Sequence, residues 1–322
     1  MHDEFFGRTI LLTGAAGFLG SHLTDRLLSE GATVVGVDNF LTGNDQNLMA
    51  ARKNPKFSLI EADVSEPPAA YLPSDFKADF ICHLASPASP QAYQHNPVAT
   101  YKVNAFGTHY LLEAATEMNA RFLFTTTSEI YGEPLEHPQK ETYWGNVNPV
   151  GPRACYDESK RFGEMATSTF CRQYKSMATI VRIFNTYGPR MAENDGRAIP
   201  ALITAALKNK PLTINGDGSQ TRSFCFVDDL IEYLHRALLL DTTIGEVINI
   251  GNPDEHSINE LAHLIKTLTN SQSEITYQNR PADDPSRRKP DITKAQSLLG
   301  YLPRITLEAG LIKTIDYFRQ RV

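Results

Sequence analysis

Four cysteines in 322 residues (Cys82, Cys155, Cys171 and Cys225) leave no Cys-x-x-Cys pair in the chain. That scarcity argues against a disulfide framework or a thiolate zinc site and fits reduced, packed thiols. Long hydrophobic runs are also missing. No stretch of ~18 apolar residues exists, the length a helical membrane span needs. The segment Met1 to Arg8 is polar and lacks the apolar centre of a secretory signal. A cytoplasmic protein with no membrane partner is expected. Basic charge is short as well: Lys and Arg total 31 against 37 Asp and Glu, a formal net charge of -6. This balance argues against nucleic acid as a partner. Nine histidines are present without metal-ligand spacing, so no metal is expected. What remains is an ordinary globular composition, 41% hydrophobic and 21% charged. It suffices for a substantial core in one large or two modest domains.

Short apolar runs alternate with helix-period segments through the first half. Strands are expected at Thr9–Thr13, Thr33–Val37, Phe57–Ile60, Phe80–His83, Phe122–Thr125 and Thr179–Arg182. Helices are expected at Gly17 to Glu30, ended by Gly31, near residues 97–118, and from Tyr156 to about Tyr174. Strict alternation of this kind makes parallel βαβ units and a doubly wound α/β sheet covered on both faces. Beyond about residue 184 the pattern turns irregular. Helical periodicity returns at Val227–Leu240, a strand is expected at Val247–Ile250, and Ser257-x-x-Glu260 is a capping box opening the helix Ile258–Leu268. Residues 1–183 therefore form the expected nucleotide-binding domain, with 223–255 returning to it. Residues 184–322 form a smaller, mainly substrate-binding lobe.

Gly14-Ala15-Ala16-Gly17-Phe18-Leu19-Gly20 follows the first strand and opens a helix. Its glycines permit a tight turn and let a pyrophosphate settle on free N–H groups at the helix N-terminus. Asp38, beside Asn39, ends the second strand eighteen residues after Gly20. A carboxylate there suits the adenosine ribose hydroxyls and repels a 2′-phosphate, favouring NAD over NADP. Asp63-Val64, after the third strand, are candidates to contact the adenine. The Gly-x-x-Gly-x-x-Gly spacing resembles the extended short-chain dehydrogenase/reductase superfamily, whose Rossmann sheet it implies.

Tyr156 and Lys160 stand one turn apart on a helix face. A free phenol titrates at about 10, too high for a base at neutral pH. A neighbouring ammonium and a cationic nicotinamide would stabilise the phenolate. Thr127, Ser128 and Glu129 follow the strand Phe122–Thr125, at the carboxyl end where open parallel sheets bind ligands. Thr127 is expected to bind the hydroxyl being oxidised. Glu129 is expected to act as an acid/base or to orient the substrate, a need that simple alcohol oxidation does not create. Among the basic residues Arg182, Arg190, Arg197, Arg222 and Arg287-Arg288-Lys289, Arg222 lies in the turn-like Gly218-Ser219-Gln220-Thr221-Arg222, suited to phosphate. Arg288 is placed to close over the sugar. His83 is expected to be packed or loop-bonded rather than catalytic.

More specific stretches then resemble the UDP-glucuronate decarboxylases (UDP-xylose synthases), from Ile10 to about Phe318. They include His83-Leu84-Ala85-Ser86-Pro87-Ala88-Ser89-Pro90, Thr127-Ser128-Glu129-Ile130-Tyr131-Gly132 and Trp144-Gly145-Asn146-Val147-Asn148-Pro149. Gly151-Pro152-Arg153-Ala154-Cys155-Tyr156-Asp157-Glu158, Arg182-Ile183-Phe184-Asn185-Thr186, Ser219-Gln220-Thr221-Arg222 and Arg288-Lys289-Pro290-Asp291-Ile292 complete the set. The resemblance implies Tyr156 as base, Lys160 as its partner and Thr127 as hydroxyl ligand. Ser128, Glu129 and Arg288 would handle the uronic carboxylate and the proton at carbon 5. Asn185, Arg197 and Arg222 would hold the UDP portion, with Ser86 and Pro87 at the substrate and Ala85 at the cofactor. The chain departs from the family at Ile214-Asn215-Gly216, where relatives often carry an aromatic residue near the base. The helices near 97–118 and 156–174 resemble the pair that makes superfamily members homodimers.

The expected reaction is NAD-dependent decarboxylation of UDP-glucuronate to UDP-xylose through a 4-keto intermediate, with the cofactor recycled. Three alternatives stay open. A nucleotide-sugar 4,6-dehydratase is disfavoured by Ser128, because such enzymes use an aspartic acid there to protonate a departing hydroxyl. A decarboxylase that stops at the UDP-4-keto-pentose and a non-catalytic NAD-binding sensor are the others.

Overall fold

The computed structural model describes residues 4–322. Its apolar runs assemble into one sheet. β1 (Thr9–Thr13), β2 (Thr33–Asp38), β3 (Phe57–Glu61), β4 (Phe80–His83), β5 (Arg121–Thr127) and β6 (Ala178–Ile183) are joined by the strand Val247–Ile250. From edge to edge the order is Val247–Ile250, β6, β5, β4, β1, β2, β3. Every neighbouring pair is parallel. All of β5 is buried, as a central strand covered on both faces must be. The order reverses between β1 and β4, so connections leave in opposite directions and open a crevice at the strands' carboxyl ends.

α1 (Phe18–Ser29) buries Leu23, Leu27 and Leu28 and gives way to Gly31, whose φ of +85° only glycine adopts without strain. The helix expected near 97–118 is present but interrupted. Pro97–Lys102 and Thr108–Met118 flank a π-helical turn, Val103–Gly107. That turn brings Asn104 Nδ2 within 3.0 Å of Ser159 Oγ on the helix Ala154–Tyr174. Gly163 lets the same helix lie close to β5, since a Cβ there would fall 2.3 Å from Phe124 Cζ. The helix carrying Tyr156 and Lys160 is thus pinned from two sides.

The C-terminal third builds small sheets of its own. Thr221–Ser223 lies between Glu255–Ser257, antiparallel, and Arg287–Arg288, parallel, while Leu212–Asn215 pairs with Ile275–Gln278. The capping box expected at Ser257 forms, with Ser257 Oγ accepting from Glu260 N at 3.1 Å and the Glu260 carboxylate accepting from Ser257 N. Segment 223–255 returns toward the sheet: the helix Val227–Leu239 packs on α1, and Val247–Ile250 takes the sheet edge. Ile10, Leu23 and Val34 share one buried cluster with Leu202, Leu261 and Phe318, so both parts of the chain are welded by a common core. All four cysteines are free. Among the described residues no helix is long and apolar enough to cross a membrane.

Candidate active site

At the crevice, Gly14 leaves β1 with φ +73°, and a Cβ on it would lie 2.8 Å from the Ala85 backbone after β4. A Cβ on Gly20 would lie 1.9 Å from Gly14 O. The loop can close this tightly only with glycine at both positions. Gly17 caps α1, and among the described residues no side chain fills that cap, so the N-terminal N–H groups stay available to an anion. The Asp38 carboxylate is buried at the end of β2, where it accepts from Ala16 N at 2.9 Å and Phe40 N at 2.8 Å. Burial raises its pKa, against those N–H groups. Asn39 is exposed beside it and caps Leu41 N. Phe18 and Leu19 begin α1. Asp63 is exposed and bonded to Ser65 N, whereas the Val64 side chain points into the core. The uncapped cradle and the acid at its rim fit a dinucleotide.

Across the crevice, β5 ends in Thr127, and the turn Ser128–Tyr131 follows. Thr127 Oγ1 accepts from Glu129 N at 3.1 Å, and the Thr127 hydroxyl faces the Tyr156 phenol, whose pKa it lowers. Tyr156 is buried, stacked face to face on Tyr93 at 4.9 Å. Lys160, one turn later, donates from Nζ to Thr125 O at 2.9 Å and stands over the Phe124 ring. Burial pulls the Lys160 ammonium down to about 7. The phenol behaves differently from the sequence expectation. Burial and then the Glu129 charge push the Tyr156 pKa up, and its opposing influences are the Thr127 hydroxyl and the Arg197 guanidinium. The reason is geometric, since Lys160 Nζ donates to the backbone of β5. His83 is packed as expected: Nδ1 lies 2.8 Å from Thr13 Oγ1 and Nε2 lies 3.3 Å from Val103 O. Burial, then Lys160, drives it down to about 3, so it stays neutral.

Glu129 is the centre of a buried charge cluster. Its Oε2 sits 2.6 Å from Arg153 Nη2 and accepts from the Tyr93 hydroxyl at 3.2 Å, while Oε1 is 3.6 Å from Arg288 Nη1. Arg288 Nη1 also donates to Asn185 Oδ1 at 3.3 Å, so those two predicted residues meet. Arg222 is buried, with Nη2 3.1 Å from Asp284 Oδ2 and donating to Pro285 O at 2.7 Å. Asp284 bridges back to Arg153 Nη1 at 3.3 Å. Arg197 is forked onto Asp195 at 2.5 and 2.7 Å. Ser128 is buried beside Glu129, and Ser86 Oγ donates to Pro87 O at 3.2 Å. Arg182 and Arg190 stand apart, paired with Glu164 and Asp25. Burial would raise the Glu129 pKa, but Arg153 and Arg288 outweigh it and hold the acid at about 2. Asp157 moves the other way. Burial and then the charge of the neighbouring Glu129 push it up to about 8.

Arg153, Asp157 and Tyr93 were not singled out by sequence reasoning. Arg153 and Asp157 flank Tyr156 in the stretch 151–158, and that position was the available signal. Tyr93 gave none, because a helical tyrosine reads as core.

A parallel sheet with a glycine cradle at its switch point, and a Tyr156/Lys160 helix opposite, defines a nicotinamide-dependent dehydrogenase-type protein. The model of the NAD dependent epimerase/dehydratase family matches residues 10–251. UDP-glucuronic acid decarboxylase 2 of Arabidopsis thaliana is 49% identical over 316 residues, covering 98% of this chain and 69% of the relative. An epimerase structure from Methanothermobacter thermautotrophicus superposes with a TM-score of 0.90 at 28% identity, covering 99% of this chain and 94% of the other. UDP-glucuronic acid 4-epimerase from Bacillus cereus, solved with UDP-glucuronic acid and NAD, gives 0.85 at 31% identity, covering 98% and 100%. The chain belongs to the UDP-glucuronic acid decarboxylase family within that class.

Proposed function

We propose that the protein converts UDP-glucuronate to UDP-xylose and carbon dioxide, with NAD bound throughout. The observation that carries this reading is Glu129, a buried acid beside the Thr127–Tyr156 pair, ringed by Arg153 and Arg288. Gly14, Gly17, Phe18, Leu19 and Gly20 would hold the pyrophosphate, Asp38 and Asn39 the adenosine ribose, Asp63 and Val64 the adenine edge, and Ala85 the wall opposite Gly14. Lys160 would hold the nicotinamide ribose. NAD held there would supply reversible hydride transfer at carbon 4.

Tyr156 takes the proton of the 4-hydroxyl, which Thr127 orients. The ketone at carbon 4 is then β to the uronic carboxylate. Carbon dioxide leaves because the electron pair of the breaking bond flows into that ketone, whose oxygen the Tyr156 hydroxyl stabilises. Ser128 and Arg288 hold the carboxylate, and Glu129 serves carbon 5. Ser86, Pro87, Asn185, Arg197 and Arg222 bind the UDP-sugar. Ser128 is a poor acid for expelling a hydroxyl, which disfavours dehydration. Residues 1–183 with 223–255 would be the NAD-binding domain and 184–322 mainly the substrate lobe.

The working unit is inferred to be a cytoplasmic homodimer. Val98, Tyr101 and Phe106 on one helical segment, and Phe162 and Met165 on the helix beside it, are exposed, and apolar side chains grouped in this way suit a partner surface. Incubation of the purified protein with UDP-glucuronate tests the reaction. Carbon dioxide and UDP-xylose should appear in equal amounts without net reduced cofactor. A released 4-keto sugar, or unchanged substrate with NAD tightly bound, would refute it.

A further inference from the structure

Decarboxylation exchanges a carboxylate for hydrogen. The bond from carbon 5 to the carboxyl carbon breaks, its electrons stay on the sugar, and one proton is taken up at carbon 5. The proton that Tyr156 removes from the 4-hydroxyl returns there when the ketone is reduced, so it is not the one that carbon 5 receives. A second proton must wait in the site before carbon dioxide departs. Glu129 is badly placed to store it, with Arg153 Nη2 2.6 Å and Arg288 Nη1 3.6 Å away. We propose, resting on the decarboxylase reading, that Asp157 stores the proton that ends on carbon 5 and delivers it through the neighbouring Glu129.

Three observations converge on Asp157. It follows Tyr156 on the same helix and is buried, and among the described residues its Oδ1 has no hydrogen-bond partner. It lines a cavity of about 260 Å³ together with Arg153, Gly132, Val147 and Asp283, whose rim carries the exposed Glu133, Asn146 and Asn148. That cavity gives a path for recharging Asp157 from solvent after each turnover. The charged and titratable groups facing it are Glu129, Arg153, Arg288, Tyr93, Tyr156 and the Cys155 thiol, with Glu133 and Asp283 in the same cavity. Burial and the Glu129 charge keep its proton on through neutral pH, up to about 8. Asp157 is a positioning and storage group for the proton. Glu129 is the residue that meets the sugar.

Rapid mixing of the NAD-loaded enzyme with UDP-glucuronate, followed by absorbance of reduced nicotinamide, tests this. In Asp157→Asn the reduced cofactor should form at the wild-type rate but decay at least about tenfold more slowly, because carbon 5 waits for a proton. The fall of the wild-type decay rate above a pH of about 8 should vanish in Asp157→Asn and return in Asp157→Glu. Wild-type decay kinetics in Asp157→Asn, with the alkaline fall intact, overturn the proposal. If Asp157→Asn does not fold, a wild-type decay rate that stays flat through about 8 overturns it equally. A wild-type protein that releases no carbon dioxide overturns the decarboxylase reading and this proposal with it. Carbon dioxide release with unaltered Asp157→Asn kinetics overturns this proposal alone.

Discussion

Arg153 Nη2 lies 2.6 Å from Glu129 Oε2, with both side chains almost wholly out of water. Each charge is acceptable there only because the other is present. The pair joins the turn after β5 to the start of the Tyr156 helix, so it sets the distance between the acid and the phenol. Asp284 and Arg222 extend the same network into the C-terminal lobe.

Removing one partner should therefore cost more than an ordinary surface change. Arg153→Met leaves Glu129 buried beside Arg288 alone, at 3.6 Å. Loss of one member of a buried ion pair typically costs about 3–5 kcal/mol. Urea unfolding at neutral pH should show a lower midpoint with an unchanged slope. A midpoint equal to wild type would mean that Arg153 and Glu129 do not depend on each other.

Stability of the cofactor-free protein should respond to pH in two opposed windows. The folded pKa of Asp157 is raised to about 8, so its contribution is complete below the ordinary carboxylate range and is lost as pH rises through about 8. The folded pKa of Lys160 is lowered to about 7, so its contribution is complete above the ordinary lysine range and is lost as pH falls through about 7. Asp157→Asn should remove the decline on the rising side. Lys160→Met should remove the decline on the falling side. Unfolding midpoints measured across pH decide both, and identical profiles for wild type and variants would refute the assignment.

The sheet was legible because parallel strands buried on both faces are short apolar runs, and β1 and β4 fall where those runs stand. The placement of Thr127, Glu129, Tyr156 and Lys160 was legible because a strand end and a helix spacing are both local features. Arg153 was not. Its role depends on the turn before the helix aiming it back at β5, a long-range outcome with no local pattern. The π turn at Val103–Gly107 escaped for a similar reason: Asn104 meets Ser159 across two helices. The hydrogen bond that holds Lys160 was not legible either, because spacing along a helix does not say that its Nζ will donate to Thr125 O.

Gly163 couples stability to the site. A Cβ there would lie 2.3 Å from Phe124 Cζ, and Lys160 Nζ stands 5.1 Å from the centre of that same ring. Gly163→Ala should destabilise by about 1–3 kcal/mol, the usual cost of overpacking. It should also lower turnover more than substrate affinity, since the displaced ring shifts Lys160. Thermal unfolding and steady-state kinetics report the two effects. A variant with unchanged stability and turnover would show that the helix and β5 can part freely.

The exposed apolar side chains on the paired helices predict their own test. Phe106 and Phe162 are 47% and 40% exposed in the single chain. Replacing both by glutamate should convert a dimer to a monomer by light scattering, without changing the circular dichroism. A protein that is monomeric before substitution would refute the homodimer.

Glu129→Gln separates the two halves of the reaction. Glutamine keeps the shape and a hydrogen bond but carries neither the charge nor a transferable proton. Thr127, Tyr156 and Lys160 remain, so reduced cofactor should still form on mixing with UDP-glucuronate. Release of UDP-xylose should fall by about 10²–10⁴-fold, the usual worth of a positioned acid/base. The lost charge has a second effect with a definite sign. In the wild type Glu129 raises the Tyr156 pKa, so its removal should make the phenolate easier to form. The rise of the oxidation rate with pH should then move toward lower pH. Product release at the wild-type rate, with the oxidation profile unmoved, would mean that Glu129 neither serves carbon 5 nor acts on the phenol.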